Sequence, residues 1–330
     1  MSSSSVAECY KRLHHGLIPA VPVPLNASGQ VDTAAQGHYV AHMAKQRIAG
    51  VAVWAHTGRG LRLGREARIQ VLQTWRDGLG TGKMLIAGAG GAPEHADNPK
   101  AYIDSVVRMG AEALDNGAHA LLVYAPAAFR GSARCEDLTY DYHQQLASLG
   151  APLILFYLYE AAGGISYSHG LLRKLFALPE VAGIKLATLD SVMTFQDVAG
   201  LIHEEFPGKL LITGEDRFLG YSLMCGAQAA LIGMGAACTE LQRSLLDAYF
   251  QGRPAEFLAL SERVDKLGQV LFRAPMEGYI RRVLWTLVHE GVLGRESCHD
   301  PWGPPLPESE FAEIGEALRQ LAQAGRKAGN

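Results

Sequence analysis

The sequence predicts an α/β protein, a (β/α)8 TIM barrel with a C-terminal helical extension. From residue 17 onward, eight short apolar runs typical of strands alternate with amphipathic segments typical of helices. After the eighth run, only helical patterns follow. An open, doubly wound sheet also alternates strands with helices, but eight units in one uninterrupted series favour a closed barrel.

The predicted strands are short and rich in Val, Ile, Leu and Ala. They cover residues 17–23, 50–54, 84–88, 120–124, 152–157, 181–186, 209–213 and 229–233. The helices between them have ordinary end signals. Asp32 or Thr33 is placed to cap a helix over 34–47, and Pro207-Gly208 is placed to end one over 192–206.

The chain changes character after the eighth strand. Helical patterns follow over 239–251, 254–271, 275–290 and 308–324. The proline-rich segment 300–307 is predicted to be extended, because proline removes a backbone donor and restricts the residue before it. We therefore expect a frayed N-terminal arm over residues 1–16, the barrel over 17–250 and a C-terminal helical region over 251–330.

Composition excludes several classes of function. The net charge is −3 and no dense basic block occurs, so neither nucleic acid nor a membrane is an expected partner. No stretch approaches the ~18 apolar residues of a membrane span, and the polar N-terminus lacks a signal sequence. The five cysteines are far apart and form no Cys-x-x-Cys pair, which predicts reduced thiols in a cytoplasmic protein.

Lys185 is the candidate nucleophile. It lies near the end of the sixth predicted strand, within the run 183–188. A protonated lysine is a poor nucleophile at its usual pKa of ~10.4, but burial at a barrel mouth lowers that value and frees the amine to form an imine. The alternative is a strand-end lysine whose stem packs while its ammonium reaches water.

These residues resemble a known family. Gly183-Ile184-Lys185-Leu186-Ala187-Thr188 matches the Gly-Ile-Lys-(Glu or Asp)-x-Thr/Ser context of the dihydrodipicolinate synthase and N-acetylneuraminate lyase family at all but the acidic position. The resemblance extends over nearly the whole chain. It implies a (β/α)8 barrel with C-terminal helices, a Schiff-base lysine on the sixth strand, a 2-oxo acid substrate and a homotetramer.

The loop after the second strand carries a second match. Residues 55–59, Ala-His-Thr-Gly-Arg, stand where the family has Gly-Thr-Thr-Gly-Glu. By this resemblance, Thr57 and the backbone at Gly58 hold the substrate carboxylate. His56 replaces a hydroxyl that relays protons in the family, and imidazole can serve as a general acid or base. A structural histidine satisfied by a neighbouring carbonyl is the alternative.

The family's proton-transferring tyrosine is missing. Aligning Pro126 with the family's Pro-Tyr-Tyr places Ala128 at that position. Alternation along the fifth strand puts Tyr157 and Tyr159 on one face. If that face is the barrel mouth, Tyr159 is best placed to reach an imine on Lys185, with Tyr157 as a substrate contact. Ordinary core packing of both tyrosines is the alternative.

Glycines mark two further strand ends. Gly214 and Gly233 follow the seventh and eighth strands, where close approach of the backbone to a substrate is expected. The glycines over 88–91 do not complete a dinucleotide-binding motif, and no His-Glu-x-x-His or paired-histidine spacing occurs. We therefore expect neither a nucleotide cofactor nor a metal.

The sequence thus favours a class I lyase, an aldolase or dehydratase that forms a Schiff base with a 2-oxo acid such as a sugar-derived acid. Lys185 is the nucleophile, and His56 or Tyr159 moves protons. The alternative is an inactive family member that binds a small oxo acid or sugar as a regulatory module. The loss of the tyrosine at Ala128 supports this alternative, and the retained lysine argues against it.

Overall fold

Eight parallel strands form one sheet that closes on itself. The structure, a computed structural model, describes residues 5–189 and 191–328, with side chains as far as Gln323. The strands are β1 (Leu17–Pro19), β2 (Gly50–Val53), β3 (Met84–Ala89), β4 (Ala120–Val123), β5 (Leu153–Leu158), β6 (Val181–Ala187), β7 (Leu210–Thr213) and β8 (Ala229–Ile232). Their order is β1-β8-β7-β6-β5-β4-β3-β2. A parallel bridge between Ala20 and Ala52 joins β1 to β2, so the predicted barrel is confirmed.

Helices surround the strands and continue after them. They are α1 (Val6–Leu13), α2 (Thr33–Ala44), α3 (Arg65–Gly78), α4 (Pro99–Asp115), α5 (Cys135–Ala147), α6 (His169–Phe176), α7 (Val192–Glu205), α8 (Leu219–Met224), α9 (Thr239–Phe250), α10 (Pro254–Leu271), α11 (Tyr279–His289) and α12 (Ser309–Ala328). Short 3-10 turns at Ala127–Phe129, Glu160–Ala162 and Met276–Gly278 lie at the carboxyl ends of the strands or beside them. The predicted C-terminal helices are therefore present.

An irregularity between β5 and β6 decides which side chains enter the barrel. Val181 pairs with Leu153, but Gly183 pairs with Ile154, so Ala182 is an extra residue in β6. A bulge of this kind shifts the in-out alternation of every later residue by one position. Gly183 also lets β7 approach closely, because a side chain there would meet the backbone of Leu210.

Beyond this bulge, β6 turns Lys185 into the barrel. Lys185 pairs with Phe156, which belongs to the inner core, and its ammonium nitrogen lies 4.2 Å from the centre of the Phe156 ring. The flanking residues Ile184 and Leu186 pack instead in the outer core between strands and helices. Strand alternation therefore fixes the inward direction of the lysine.

The N-terminal segment differs from the frayed arm that the sequence predicted over residues 1–16. Residues 1–4 lie outside the described part, but α1 is a capped helix in which the Ser5 hydroxyl accepts a hydrogen bond from the Glu8 amide at 3.1 Å. Cys9 and Leu13 are fully buried and join the inner core of the barrel. The spacing of apolar residues three and four apart explains the helix, which closes the barrel floor.

The C-terminal helices bring a second set of side chains to the barrel mouth. Arg282 on α11 is fully buried, and its guanidinium donates to Glu310 at 2.7 Å and to the carbonyl of Arg273 at 2.7 Å. This pairing fixes the start of α11 and the turn Met276–Gly278 that precedes it. The division into a barrel over 17–250 and a C-terminal region over 251–330 remains our proposal.

Within the described part of the chain, no helix combines the length and apolar character that crossing a membrane requires.

The burial of α1 leads to a test of its role. We expect Leu13→Ala to lower the free energy of unfolding by about 3 kcal/mol, because it leaves a cavity under the barrel floor. Urea unfolding followed by circular dichroism would measure the change. The exposed Lys11→Ala on the same helix is the control and should stay within about 0.5 kcal/mol of the parent. Equal effects of the two substitutions would mean that α1 adds nothing to the core.

Candidate active site

The amine of Lys185 lies in a confined, water-poor chamber inside the barrel mouth. The residue is only 6% exposed. Burial lowers the pKa of Lys185 to about 8, although the negative charges of Asp216 and Glu215 act in the opposite direction. Roughly a tenth of the amine is therefore neutral at pH 7. Gly214 provides the space, because a Cβ there would lie 2.5 Å from the Cε of Lys185.

Two carboxyl groups that follow β7 act on the charge of this amine. Asp216 accepts a hydrogen bond from the Met234 amide at 2.7 Å, and burial raises the pKa of Asp216 to about 6. Glu215 is fully buried and accepts hydrogen bonds from the Thr188 amide at 2.6 Å and its hydroxyl at 2.9 Å. Burial raises the pKa of Glu215 to about 7. Thr188, the last residue of the sequence motif, therefore positions Glu215.

A pair of hydroxyl groups faces the same chamber. Thr57 Oγ1 and the Tyr279 hydroxyl are 2.9 Å apart, and both side chains are buried. The Tyr279 ring stacks on Phe272 with ring centres 4.6 Å apart, and burial raises the pKa of Tyr279 well above its ordinary value. A side chain at Gly233 would come within 3.1 Å of both hydroxyl-bearing residues. Gly233 thus allows the pair to form.

His56 lies at the rim of the chamber, where a residue of the C-terminal region binds its ring. Its Nε2 lies 2.9 Å from a carboxylate oxygen of Glu277, whose other oxygen accepts from Arg59 at 2.9 Å. Burial alone would raise the pKa of Glu277, but His56 and Arg59 lower it to about 2. Arg59 also binds both oxygens of the buried Asp300, at 2.7 and 3.2 Å. This charged cluster joins the β2 loop to the C-terminal region.

The structure separates the two tyrosines that the sequence placed on one face. Tyr157 points outward and packs edge-on against Tyr167 with ring centres 5.3 Å apart. Phe156 and Leu158 occupy the inward positions, so Tyr157 does not line the chamber around Lys185 as the sequence predicted. The strand ends at Leu158, and Tyr159 in the following turn lines the chamber with Lys185. The in-out alternation of side chains along β5 therefore ends at Leu158 and does not include Tyr159.

Gly58 lies behind the chamber wall. A Cβ at Gly58 would lie 2.9 Å from the carbonyl oxygen of Val21 and 3.2 Å from the amide nitrogen of Trp54. This glycine lets the β2 loop fold tightly against its neighbours. The amide groups of Thr57 and Gly58 donate no hydrogen bond to any residue that the structure describes.

The mouth contains an inner and an outer chamber. The inner chamber around Lys185 has a volume of only about 40 Å³, whereas the outer chamber, which includes Ala128, has about 480 Å³. They share a wall formed by His56, Leu158, Ala162 and Glu277. Among the described residues, no group of three or more His, Cys, Asp or Glu side chains is arranged to hold a metal ion.

Sequence reasoning missed Tyr279 and Glu277. Both belong to the segment after α10, more than two hundred positions from the loop they contact. No local motif surrounds them, since Tyr279 reads as an ordinary aromatic residue at a helix start. The burial of Asp216 near Lys185 also becomes visible only in the fold.

Comparison with known proteins assigns the family. The model of the dihydrodipicolinate synthetase family matches residues 13–321. The chain belongs to this family. Among members of the dihydrodipicolinate synthetase family, a 4-hydroxy-tetrahydrodipicolinate synthase of Parasynechococcus marenigrum (strain WH8102) is 27% identical over 312 residues, covering 93% of this chain and 95% of that protein. The resemblance inferred from the sequence motifs is thus confirmed.

Two further proteins are similar to this chain over most of their length. N-acetylneuraminate lyase 2 of Escherichia coli O6:H1 is 22% identical over 290 residues, 88% of each chain. The prophage protein YagE of Escherichia coli K12, solved in complex with pyruvate, superimposes with a TM-score of 0.80 at 22% identity, covering 93% of this chain and 98% of that one. Together with the family model, these relatives support a lyase of this family.

The lowered pKa of Lys185 predicts how its reactivity depends on pH. Because only the neutral amine reacts, brief acetylation of Lys185 should rise with pH and reach half its maximum near pH 8. Asp216→Asn removes a charge that favours the ammonium form and should move this midpoint to lower pH. Mass spectrometry of the Lys185 peptide would follow the reaction.

The urea-unfolded chain is the control for this titration and should show a midpoint near the ordinary lysine value of about 10.4. A folded-state midpoint at that same value, or an upward shift in Asp216→Asn, would contradict the assigned environment of the amine.

Proposed function

We propose that this chain is a class I lyase in which Lys185 forms an imine with the ketone of a 2-oxo acid. The observation that carries the proposal is the buried amine of Lys185 with its lowered pKa, inside a barrel of the dihydrodipicolinate synthetase family. A neutral amine at neutral pH is what attack on a carbonyl carbon requires. The named lyase and the pyruvate-bound YagE among the relatives are consistent with this chemistry.

The inner chamber suits the small head of such a substrate. At about 40 Å³ it has room for only about three water molecules, which matches a 2-oxo acid head group rather than a large ligand. By family resemblance, the Thr57 hydroxyl and the backbone at Thr57 and Gly58 would bind the carboxylate. Gly214 and Gly233 would let the head group lie close to the backbone.

The proposed reaction is a reversible aldol cleavage. The amine of Lys185 adds to C2, and loss of water leaves a protonated imine. A base removes the proton from the C4 hydroxyl, the C3–C4 bond breaks, and its electron pair passes into the imine to give an enamine and an aldehyde. Protonation at C3 and hydrolysis then release the shortened 2-oxo acid and the free lysine.

Three side chains are candidates for these proton transfers. His56 stands in the wall between the chambers, where the C4 hydroxyl would lie, and Glu277 orients its ring. Tyr159 and Tyr279 line the inner chamber beside Lys185. We assign removal of the C4 hydroxyl proton to His56. We assign protonation at C3 to Tyr279, whose hydroxyl is hydrogen-bonded to Thr57, with Tyr159 as the alternative.

A binding module is the second candidate function. Ala128 occupies the position of the family tyrosine and has no ionisable group. If no other residue has replaced that tyrosine, Lys185 would bind an oxo acid without completing turnover.

Family resemblance also leads us to propose that the protein is cytoplasmic and forms a homotetramer. Sedimentation analysis would test the oligomeric state.

Reductive trapping tests the imine. Borohydride with pyruvate, and then with longer 2-oxo acids, should attach one reduced acid to Lys185, as read by intact mass and peptide mapping. Lys185→Ala should give no adduct under the same conditions. If no acid in the panel labels Lys185, the lyase proposal loses its basis. Labelling without C–C cleavage or condensation would favour the binding module.

Exchange of the C3 protons of pyruvate in D2O, followed by NMR, tests the proton carriers without knowledge of the aldehyde. Tyr279→Phe should slow exchange by about 10²–10⁴-fold while borohydride still traps the imine. His56→Asn should leave exchange largely intact and slow aldol cleavage instead.

The matched control is Tyr221→Phe on the exposed face of α8, which should change neither rate. If Tyr159→Phe, and not Tyr279→Phe, abolishes exchange, the C3 proton belongs to Tyr159 and our assignment is wrong.

A further inference from the structure

The walls of the outer chamber are rich in small apolar side chains. Six alanines line it, namely Ala96, Ala125, Ala127, Ala128, Ala161 and Ala162. The rings of Tyr102, Tyr124 and Trp302 also line it, as do the polar side chains of His56, Arg59, Arg62 and Glu277. Its volume of about 480 Å³ lies within the range of pockets that enclose a whole small-molecule ligand.

Most polar groups at this chamber are already bonded within the protein, and the exception among its charged side chains is Arg62, which is exposed and makes no side-chain hydrogen bond to a described residue. The Tyr124 hydroxyl donates to the Trp54 carbonyl at 2.8 Å, and Tyr102 is hydrogen-bonded to the Ala128 backbone. The guanidinium of Arg59 is bound by Glu277 and Asp300. A tail with several hydroxyl groups would lose its water here and find few partners in return.

The position of the chamber relates it to the substrate. It shares His56 and Leu158 with the inner chamber, so a group attached to C4 of a bound 2-oxo acid would enter it directly. The small side chain of Ala128, where the family has an aromatic residue, adds to this space.

We propose that the outer chamber binds an uncharged apolar tail, alkyl or aryl, carried on the far side of the 2-oxo acid. The natural substrate would then be a 2-oxo acid with a hydrophobic tail, and the aldehyde released from it would be hydrophobic too. This inference rests on the proposed imine function of Lys185. It differs from the sugar-derived acid that the sequence suggested, because a polyol needs several hydrogen-bond partners and these walls offer few besides Arg62.

The test compares 2-oxo acids that differ only in the tail. Pyruvate, 4-phenyl-2-oxobutanoate, 2-oxoglutarate and 2-oxo-3-deoxygluconate would be titrated against borohydride labelling of Lys185. Each buried methylene strengthens binding roughly fourfold, so the phenyl acid should label at a concentration at least tenfold below that of pyruvate. Equal labelling by all four, or a preference for the polyol or the anionic tail, would overturn the proposal while leaving the imine function intact.

Binding without imine formation separates the two proposals. Calorimetry on Lys185→Ala with 4-phenylbutanoate and with gluconate measures the chamber alone. The phenyl compound should bind at least tenfold more tightly. If no acid labels Lys185 in the parent protein but this preference persists, the imine function fails and the apolar chamber stands. If Lys185→Ala binds 4-phenylbutanoate no more tightly than gluconate, the proposal of an apolar outer chamber fails.

Substitutions that fill the outer chamber test whether the substrate tail binds there. Ala128→Phe, and separately the exposed Ala161→Phe, should each reduce the preference for the phenyl acid at least tenfold. Ala255→Phe, at an exposed position at the start of α10, makes the same chemical change elsewhere and should leave the preference as it is in the parent. If both filling variants keep the preference, the tail does not lie in the outer chamber.

Discussion

The candidate site depends on keeping an amine inside an apolar barrel. Moving the pKa of Lys185 from 10.5 to about 8 means that the ammonium form is disfavoured by about 3 kcal/mol relative to water. Without the opposing charges of Asp216 and Glu215 the shift would be larger, and both carboxyl groups are themselves shifted toward neutrality by burial. The bulge at Ala182 and the absence of a side chain at Gly214 serve this arrangement, because one directs the amine inward and the other leaves room for its stem.

The mouth of the barrel is built from both ends of the chain. The loop after β2 supplies His56 and Thr57, and the segment after α10 supplies Glu277 and Tyr279, which bond to them. These contacts join the two segments at the mouth of the barrel. The ion pairs of Arg59 are partly shielded from water, so they hold these segments more firmly than exposed pairs would.

Local patterns predicted the parts of this structure that depend on local physics. The eight strands and the position of Lys185 follow from apolar runs and one short motif. The orientation of Tyr157 did not, because a strand's inward face depends on its pairing with neighbours, which the sequence of β5 alone does not contain. Helix α1 was predicted as an arm although its apolar spacing was visible, since a short helix gains stability only from the floor it covers. Tyr279 required long-range contacts that one sequence cannot reveal.

The separation of 221 positions between His56 and Glu277 has a consequence for the protein during its synthesis. A ribosome completes all eight strands before Glu277, Tyr279 and Asp300 have emerged, so the barrel of a nascent chain would lack one side of its mouth. The residues that line the Lys185 chamber would therefore come together only when the C-terminal region packs onto the finished barrel.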